Sequence, residues 1–369
     1  MFGRGTTMNY LQDFPIKEFQ EKLLYWFERN MRDLPWRQDK DPYKIWVSEI
    51  MLQQTRVDTV IPYFHRFIEK FPSLEALALA KEDEVLKQWE GLGYYSRARN
   101  LHSAVQEVME SYEGVVPNSL KEISSLKGVG SYTAGAILSI AYGQKEPAVD
   151  GNVMRVFSRI LAIEEDIQKP KTKKLFEEIV KQLIPDNASY FNQGIMELGA
   201  LICTPQSPKC LTCPVSEHCR GKEKGIQASL PVKTKKKKPR YLQMVAGVIQ
   251  QDGKVLIRQR EEEGLLARLY EFPNVEWTSV SPEETISKHL FEQYQIESVI
   301  IDRLESVQHT FSHLVWDITV FQLKELKKVS QHDLGILKTN AKWVELEELD
   351  RYTFPVSHQK IKNQLLPNS

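Results

Sequence analysis

The hydrophobic period of this chain changes once, and the change falls in a stretch without a single acid. Upstream, Pro15 opens a segment with Ile16, Phe19, Leu23, Leu24 and Phe27 at helical spacing, and Val57, Val60, Ile61, Phe64, Phe67, Ile68 and Phe71 mark another. Downstream, residues 245–250 and 255–258 read as strands around an Asp252-Gly253 turn, residues 282–294 as a helix and 314–323 as a further strand. Between Lys224 and Gln251 there is no Asp or Glu. Lys233, Lys235, Lys236, Lys237, Lys238 and Arg240 crowd into that stretch, and Pro231 and Pro239 disfavour a continuous helix there. The pattern predicts a multidomain chain: an all-α domain over residues 1–225, a basic linker over 226–242 and an α+β domain over 243–369. At 369 residues, each domain is long enough to bury a core of its own.

Charge narrows the class. With 49 basic and 49 acidic residues the net charge is zero, which argues against a protein that coats nucleic acid indiscriminately. The basic linker suits a solvated spacer and a phosphate-tracking segment equally well. No apolar run approaches the roughly 18 residues that cross a bilayer, and no basic stretch followed by an apolar one opens the chain. A cytoplasmic protein without a membrane partner is expected, in a compartment where thiols stay reduced.

The only four cysteines fall together as Cys203-x6-Cys210-x2-Cys213-x5-Cys219. Thiolates so close in sequence can converge on a metal centre. Zinc favours two short Cys pairs, whereas one Cys-x2-Cys flanked by longer reaches suits the corners of an iron–sulfur cube. A structural zinc site and incidental buried thiols are the alternative readings.

Three further places carry chemistry. Residues 126–135, Leu-Lys-Gly-Val-Gly-Ser-Tyr-Thr-Ala-Gly, put Gly128 and Gly130 in a turn directly before a helix. Glycines let a phosphate approach the backbone, and a helix N-terminus offers it unpaired N–H groups, although a plain helix connection would use the same residues. Asp150 precedes the apolar helical pattern Val153, Val156, Phe157 and Ile160. It reads either as a helix cap or as an anion held beside developing positive charge. Glu49 shares a helix face with Ile45, Trp46 and Leu52, in a segment that Pro42 opens after Asp41. Desolvation there would raise a carboxyl pKa and keep the group protonated, as a general acid requires, although most single glutamates in a helix are merely surface residues.

Together with Leu34-Pro35-Trp36-Arg37, the run from Val47 to Thr55 and the run from Gly91 to Ala98, these motifs resemble the helix–hairpin–helix DNA glycosylases, and within them the adenine DNA glycosylase (MutY) family. The resemblance covers nearly the whole chain. It implies base excision repair: hydrolysis of the N-glycosidic bond of adenine mispaired with 8-oxoguanine, or with guanine, in double-stranded DNA, leaving an abasic site. By the same resemblance Glu49 and Asp150 are the catalytic carboxylates, oriented by Tyr132 and Asn152. Arg32, Trp36 and Gln193 line the base pocket, Gln54 and Tyr94 wedge into the stack, and Thr55 and Leu92 lie beside the opposite base. Gly128 and Gly130 meet DNA phosphate, as does Lys209 on a loop stiffened by a [4Fe-4S] cluster on Cys203, Cys210, Cys213 and Cys219. The related endonuclease III family carries a nucleophilic lysine where Tyr132 stands, so a lyase is disfavoured, and the carboxylate pair disfavours a sensor that only binds damage. A monomer at the nucleoid is expected; a sliding clamp or mismatch repair partner is left unassigned.

Residues from about 243 resemble the Nudix fold, with Leu269-Tyr270-Glu271-Phe272-Pro273 its recognisable piece. The helix that would carry the hydrolase carboxylates reads Ser287-Lys288-His289-Leu290-Phe291-Glu292-Gln293-Tyr294, without the cluster, so the fold is expected without the hydrolysis. Phe311-Ser312-His313 falls in a turn between two strands. The tripeptide alone is ordinary hairpin chemistry, but the family resemblance makes Ser312 and His313 readers of 8-oxoguanine.

Overall fold

The computed structural model describes residues 10–234, 238–311, 313–337 and 339–365, without the Ile336 side chain. It divides into two compact units. The first holds the described residues up to Ala80 and from Asn100 to the linker; the second holds Lys81–Arg99 and what is described after the linker.

In the first unit, helices form where the apolar spacing places them. Ile16–Asn30 buries Phe19, Leu23 and Phe27, spaced four apart along one face. The helix Pro42–Leu52 starts on the Asp41 carboxylate, which accepts the Tyr43 N–H at 2.9 Å, with Pro42 at the position that needs no N–H. Tyr43 and every residue from Ile45 to Met51 are buried, so this helix is covered almost all round and its one carboxylate, Glu49, is dry.

Two glycines decide how the next elements meet. Gly128 sits at φ +79°, and a Cβ there would also strike the Asn100 side chain at 2.7 Å. Gly135, inside the helix Ser131–Ile140, lies where a Cβ would fall 2.0 Å from the Pro147 carbonyl oxygen. That approach lays the segment leading into Asp150 against the helix that carries Tyr132. Asp150 then caps Gly151–Ile160 by accepting the Val153 N–H at 2.7 Å. Helix Ala188–Leu201 buries Phe191, Ile195 and Leu198 in the same core as Val153, Val156 and Phe157.

The segment expected as linker contracts. Leu230, Val232 and Thr234 already accept hydrogen bonds from Arg159, Ile167 and Gln168 of the helical unit, and the first strand begins at Arg240. Lys235, Lys236 and Lys237 lie outside the described residues.

The second unit is a mixed seven-stranded sheet. Its strands are β1 (Arg240–Gln251), β2 (Lys254–Gln259), β3 (Tyr270–Glu271), β4 (Asn274–Glu276), β5 (Ser298–Thr310), β6 (Leu314–Glu325) and β7 (Ala341–Glu345). The order is β3-β2-β1-β6-β5, with β4 also on β1 and β7 on β2. Asp252 and Gly253, at φ +49° and +82°, close the β1–β2 hairpin in the mirror-image turn that such a two-residue connection favours. β1 and β6 pair in parallel, from Arg240 opposite Leu314 to Gln250 opposite Lys324. Alternating side chains fill two cores, one on each face: Ile286, Leu290 and Tyr294 of helix Pro282–Tyr294 in one, Leu349, Phe354 and Ile361 in the other.

Lys81–Arg99 belongs to this unit, which no linear boundary at residue 225 anticipates. Arg99 donates to the Ala267 carbonyl at 2.8 Å, Glu90 accepts the Phe354 N–H at 2.9 Å and Arg268 pairs with Glu82 at 3.0 Å. Among the described residues no helix is long and apolar enough to cross a membrane.

Candidate active site and cluster loop

A cleft in the helical unit collects side chains that lie far apart in sequence. Arg32, Trp36, Glu49, Thr55, Tyr132, Asp150, Asn152 and Gln193 all line it. Glu49 is 4% exposed, and the Tyr132 hydroxyl donates to its Oε2 at 2.6 Å. Burial drives the Glu49 carboxyl up to about 7; the Tyr132 hydrogen bond and Arg37 pull the other way, and the nearby Asp150 charge adds to the rise. Burial therefore favours the protonated form of Glu49, the condition for a general acid.

Asp150 stands in a different setting on the same cleft. Burial raises its pKa as well, but the Val153 N–H, the Asn152 amide and the Arg155 guanidinium oppose the rise. Asn152 donates to Asp150 Oδ2 at 2.9 Å and accepts Arg155 Nη1 at 2.9 Å. The cap and the cleft carboxylate are thus one residue, and the two readings of Asp150 do not compete.

A third carboxylate of the cleft, Glu197, is 1% exposed and takes two arginines. Arg32 meets it with Nε at 2.8 Å and Nη2 at 2.9 Å, and Arg37 with Nη2 at 3.0 Å. Burial pushes this carboxyl up, yet the hydrogen bonds from Arg32 and Arg37 outweigh that and hold it down at about 2. Trp36 is buried edge-on against Phe64.

The remaining expected residues divide. Gln54 is exposed in the turn after the Glu49 helix at φ +60°. Gly130 forms the N-cap of Ser131–Ile140, a Cβ on it would meet nothing within 4 Å, and no side chain of the cap residue bonds the first N–H groups of that helix. In the second unit Tyr94 is 47% exposed at φ +48°, and it lines a cavity with Tyr95, His309, Phe311 and His313. Leu92 is buried and does not line that cavity. Ser312 lies outside the described residues; the Phe311 N–H donates to the Leu314 carbonyl at 2.7 Å.

All four cysteines line one cavity with Arg159, Lys209 and Val215. Arg159 is buried and ties the loop down, donating to the carbonyls of Leu230, Cys203, Thr204 and Pro205 and reaching Cys203 Sγ at 3.4 Å. Among the described residues no three His, Cys, Asp or Glu side chains close on a single ion, yet four thiols share one cavity. A four-iron cube takes one thiolate on each iron, so it calls for four thiols around one cavity. Cys203, Cys210, Cys213 and Cys219 therefore fit the cluster.

Sequence reading did not single out Arg37, Arg155 or Glu197. Gln193 and Glu197 stand four apart, and Asn152 and Arg155 three apart, on their helices, which is the available signal.

Residues 47–182 match the HhH-GPD superfamily of base excision DNA repair proteins, residues 203–219 the iron–sulfur binding domain of endonuclease III and residues 244–364 the NUDIX domain. A thermostable thymine-DNA glycosylase superposes on 57% of this chain and 97% of its own, at 32% identity and a TM-score of 0.52. Fold and site together define an iron–sulfur DNA glycosylase of the helix–hairpin–helix class with a Nudix-like second domain. Adenine DNA glycosylase of Homo sapiens is 34% identical over 94% of this chain and 73% of its own length. That of Buchnera aphidicola (subsp. Schizaphis graminum) is 36% identical over 82% and 86%. The chain belongs to the adenine DNA glycosylase family.

Proposed function

We propose that this protein removes adenine paired with 8-oxoguanine, and more slowly adenine paired with guanine, by hydrolysis without cutting the strand. The observation that carries the reading is a dry carboxyl, Glu49, hydrogen-bonded to a tyrosine and sharing its cleft with a capped carboxylate, Asp150.

The glycosidic bond is out of reach inside the stack, so the adenine turns out of the helix into the cleft. Glu49 gives its proton to N7, and the C1′–N9 bond pair withdraws onto the base. Asp150, facing the sugar as an anion, offsets the positive charge that develops there, an effect that is strong where water is excluded. A water oxygen bonds to C1′, and the proton it sheds restores Glu49. Asn152 and Tyr132 hold the two carboxyl groups in place. Tyr132 carries no amine to attack C1′, which argues for a monofunctional enzyme.

On the DNA, Gly128, Gly130 and the N–H groups that open Ser131–Ile140 meet phosphate, with Lys209 on the cluster loop. Gln54 and Tyr94 enter the stack, the cavity of Tyr94, Phe311 and His313 reads the opposite base, and Ser312 shares in that reading. The protein acts as a monomer on chromosomal DNA of the nucleoid, in the cytoplasm. Base release from duplexes with adenine opposite 8-oxoguanine, guanine or thymine tests this: release fastest opposite 8-oxoguanine supports it, and equal or no release sinks it.

A further inference from the structure

Glu197 is spent entirely within the protein. Its two oxygens accept four N–H groups: Arg32 N and Nε on Oε1 at 3.0 and 2.8 Å, Arg32 Nη2 and Arg37 Nη2 on Oε2 at 2.9 and 3.0 Å. A carboxylate has about four lone-pair sites, so none is left for a base. Arg37 runs on from there: Nη1 donates to the Arg32 carbonyl at 3.0 Å, and Nε donates to Gln193 Oε1 at 3.0 Å. Gln193 Nε2 in turn donates to the Ser189 hydroxyl at 3.1 Å.

That chain of contacts decides which way round the Gln193 amide sits. A hydroxyl donates or accepts and would tolerate either orientation, but a guanidinium only donates, so the amide oxygen must face Arg37. One acceptor lobe and one N–H remain on the amide, in fixed order, on a residue that lines the cleft. With N7 taken by Glu49, glutamine in that arrangement matches the N6 amino group beside N1 of adenine, whereas guanine offers the O6 carbonyl beside N1–H there.

We propose that Glu197 is a positioning residue for base selection: it locks Arg32 and Arg37 into one clamp and, through Arg37, sets the Gln193 amide in the order that accepts a 6-aminopurine. The inference rests on the adenine-release reading of the cleft and names the device that gives that reading its target base.

The test separates base selection from general integrity. Single-turnover base release is measured for wild type and Glu197→Gln on duplexes whose target, opposite 8-oxoguanine, is adenine or unsubstituted purine, which lacks the amino group. Comparing each variant with wild type on the same target cancels the difference in leaving groups. Glu197→Gln should slow adenine release by about tenfold or more, the worth of a good pair of hydrogen bonds to a base edge, and purine release by much less. Equal loss on both targets overturns the proposal and makes Glu197 a structural residue only. Should Glu197→Gln fail to fold, Arg37→Lys answers the same question, because it keeps the charge and removes the Nε–H that orients Gln193. It should show the same asymmetry, and its absence overturns the proposal equally. If wild type releases no adenine, the functional reading itself falls; if wild type releases adenine but both targets lose alike, only the role of Glu197 does.

Discussion

Replacing Tyr132 with phenylalanine removes one oxygen, and with it the 2.6 Å hydrogen bond to Glu49 Oε2. Because the tyrosine donates, its bond favours the ionised carboxylate and opposes the burial that raises Glu49 to about 7. A hydrogen bond to a charged group is worth about 1.5–3 kcal/mol, and 1.36 kcal/mol corresponds to one pKa unit, so its loss should raise Glu49 by about one to two units. The other charged groups facing Glu49, Asp150 and Arg37, are left in place. A reaction that needs protonated Glu49 runs below its pKa and fades as pH rises through it. In wild type the single-turnover rate of adenine release should therefore fall on the alkaline side of about pH 7. In Tyr132→Phe that limb should move up by about one to two units, while the plateau drops by no more than roughly a hundredfold, because the acid is less well held but still protonated. Circular dichroism melting should confirm the fold. A limb that stays in place, or moves to lower pH, refutes the assignment of Glu49 as the proton donor held by Tyr132.

Three further outcomes are expected. Tyr132→Lys should produce a borohydride-trapped covalent DNA adduct, because an amine at that position faces the sugar; a folded, base-releasing variant with no adduct contradicts the placement of Tyr132. The purified protein should be brown and carry about one four-iron cube per chain, and stoichiometric zinc with no iron after anaerobic purification contradicts the fit of the four thiols. Ser312→Ala with His313→Ala should reduce preference for 8-oxoguanine over guanine opposite adenine by roughly tenfold, since each base-edge hydrogen bond is worth about 1–3 kcal/mol; unchanged preference with collapsed turnover moves recognition elsewhere.

What was legible in the chain was local. The spacing of Phe19, Leu23 and Phe27, the Asp41-Pro42 start, the Asp252-Gly253 hairpin and the helix Pro282–Tyr294 each follow from a few neighbouring residues, and the structure has them where the pattern puts them. Long-range choices were not. The parallel pairing of β1 with β6 joins Arg240 to Leu314, and nothing in either strand names the other as partner. Lys81–Arg99 falls within the stretch expected as all-α, and bonds such as those of Glu90 and Arg99 to Phe354 and Ala267 attach it to the sheet unit. The site behaves likewise. Glu49 was visible because its own helix is apolar around it, whereas Glu197 looks like any helical glutamate until two arginines some 160 positions away fold onto it.

The most direct test of the central claim is Glu49→Gln, assayed for duplex binding and for base release in one experiment. The amide keeps the shape of the carboxyl and loses the proton, and removal of a general acid costs about 10²–10⁴ in rate, more when no other group protonates the base. The account predicts that the variant binds adenine opposite 8-oxoguanine about as tightly as wild type and releases no measurable base in a single turnover. Near-normal release by a well-folded Glu49→Gln would contradict it and remove Glu49 from the chemistry.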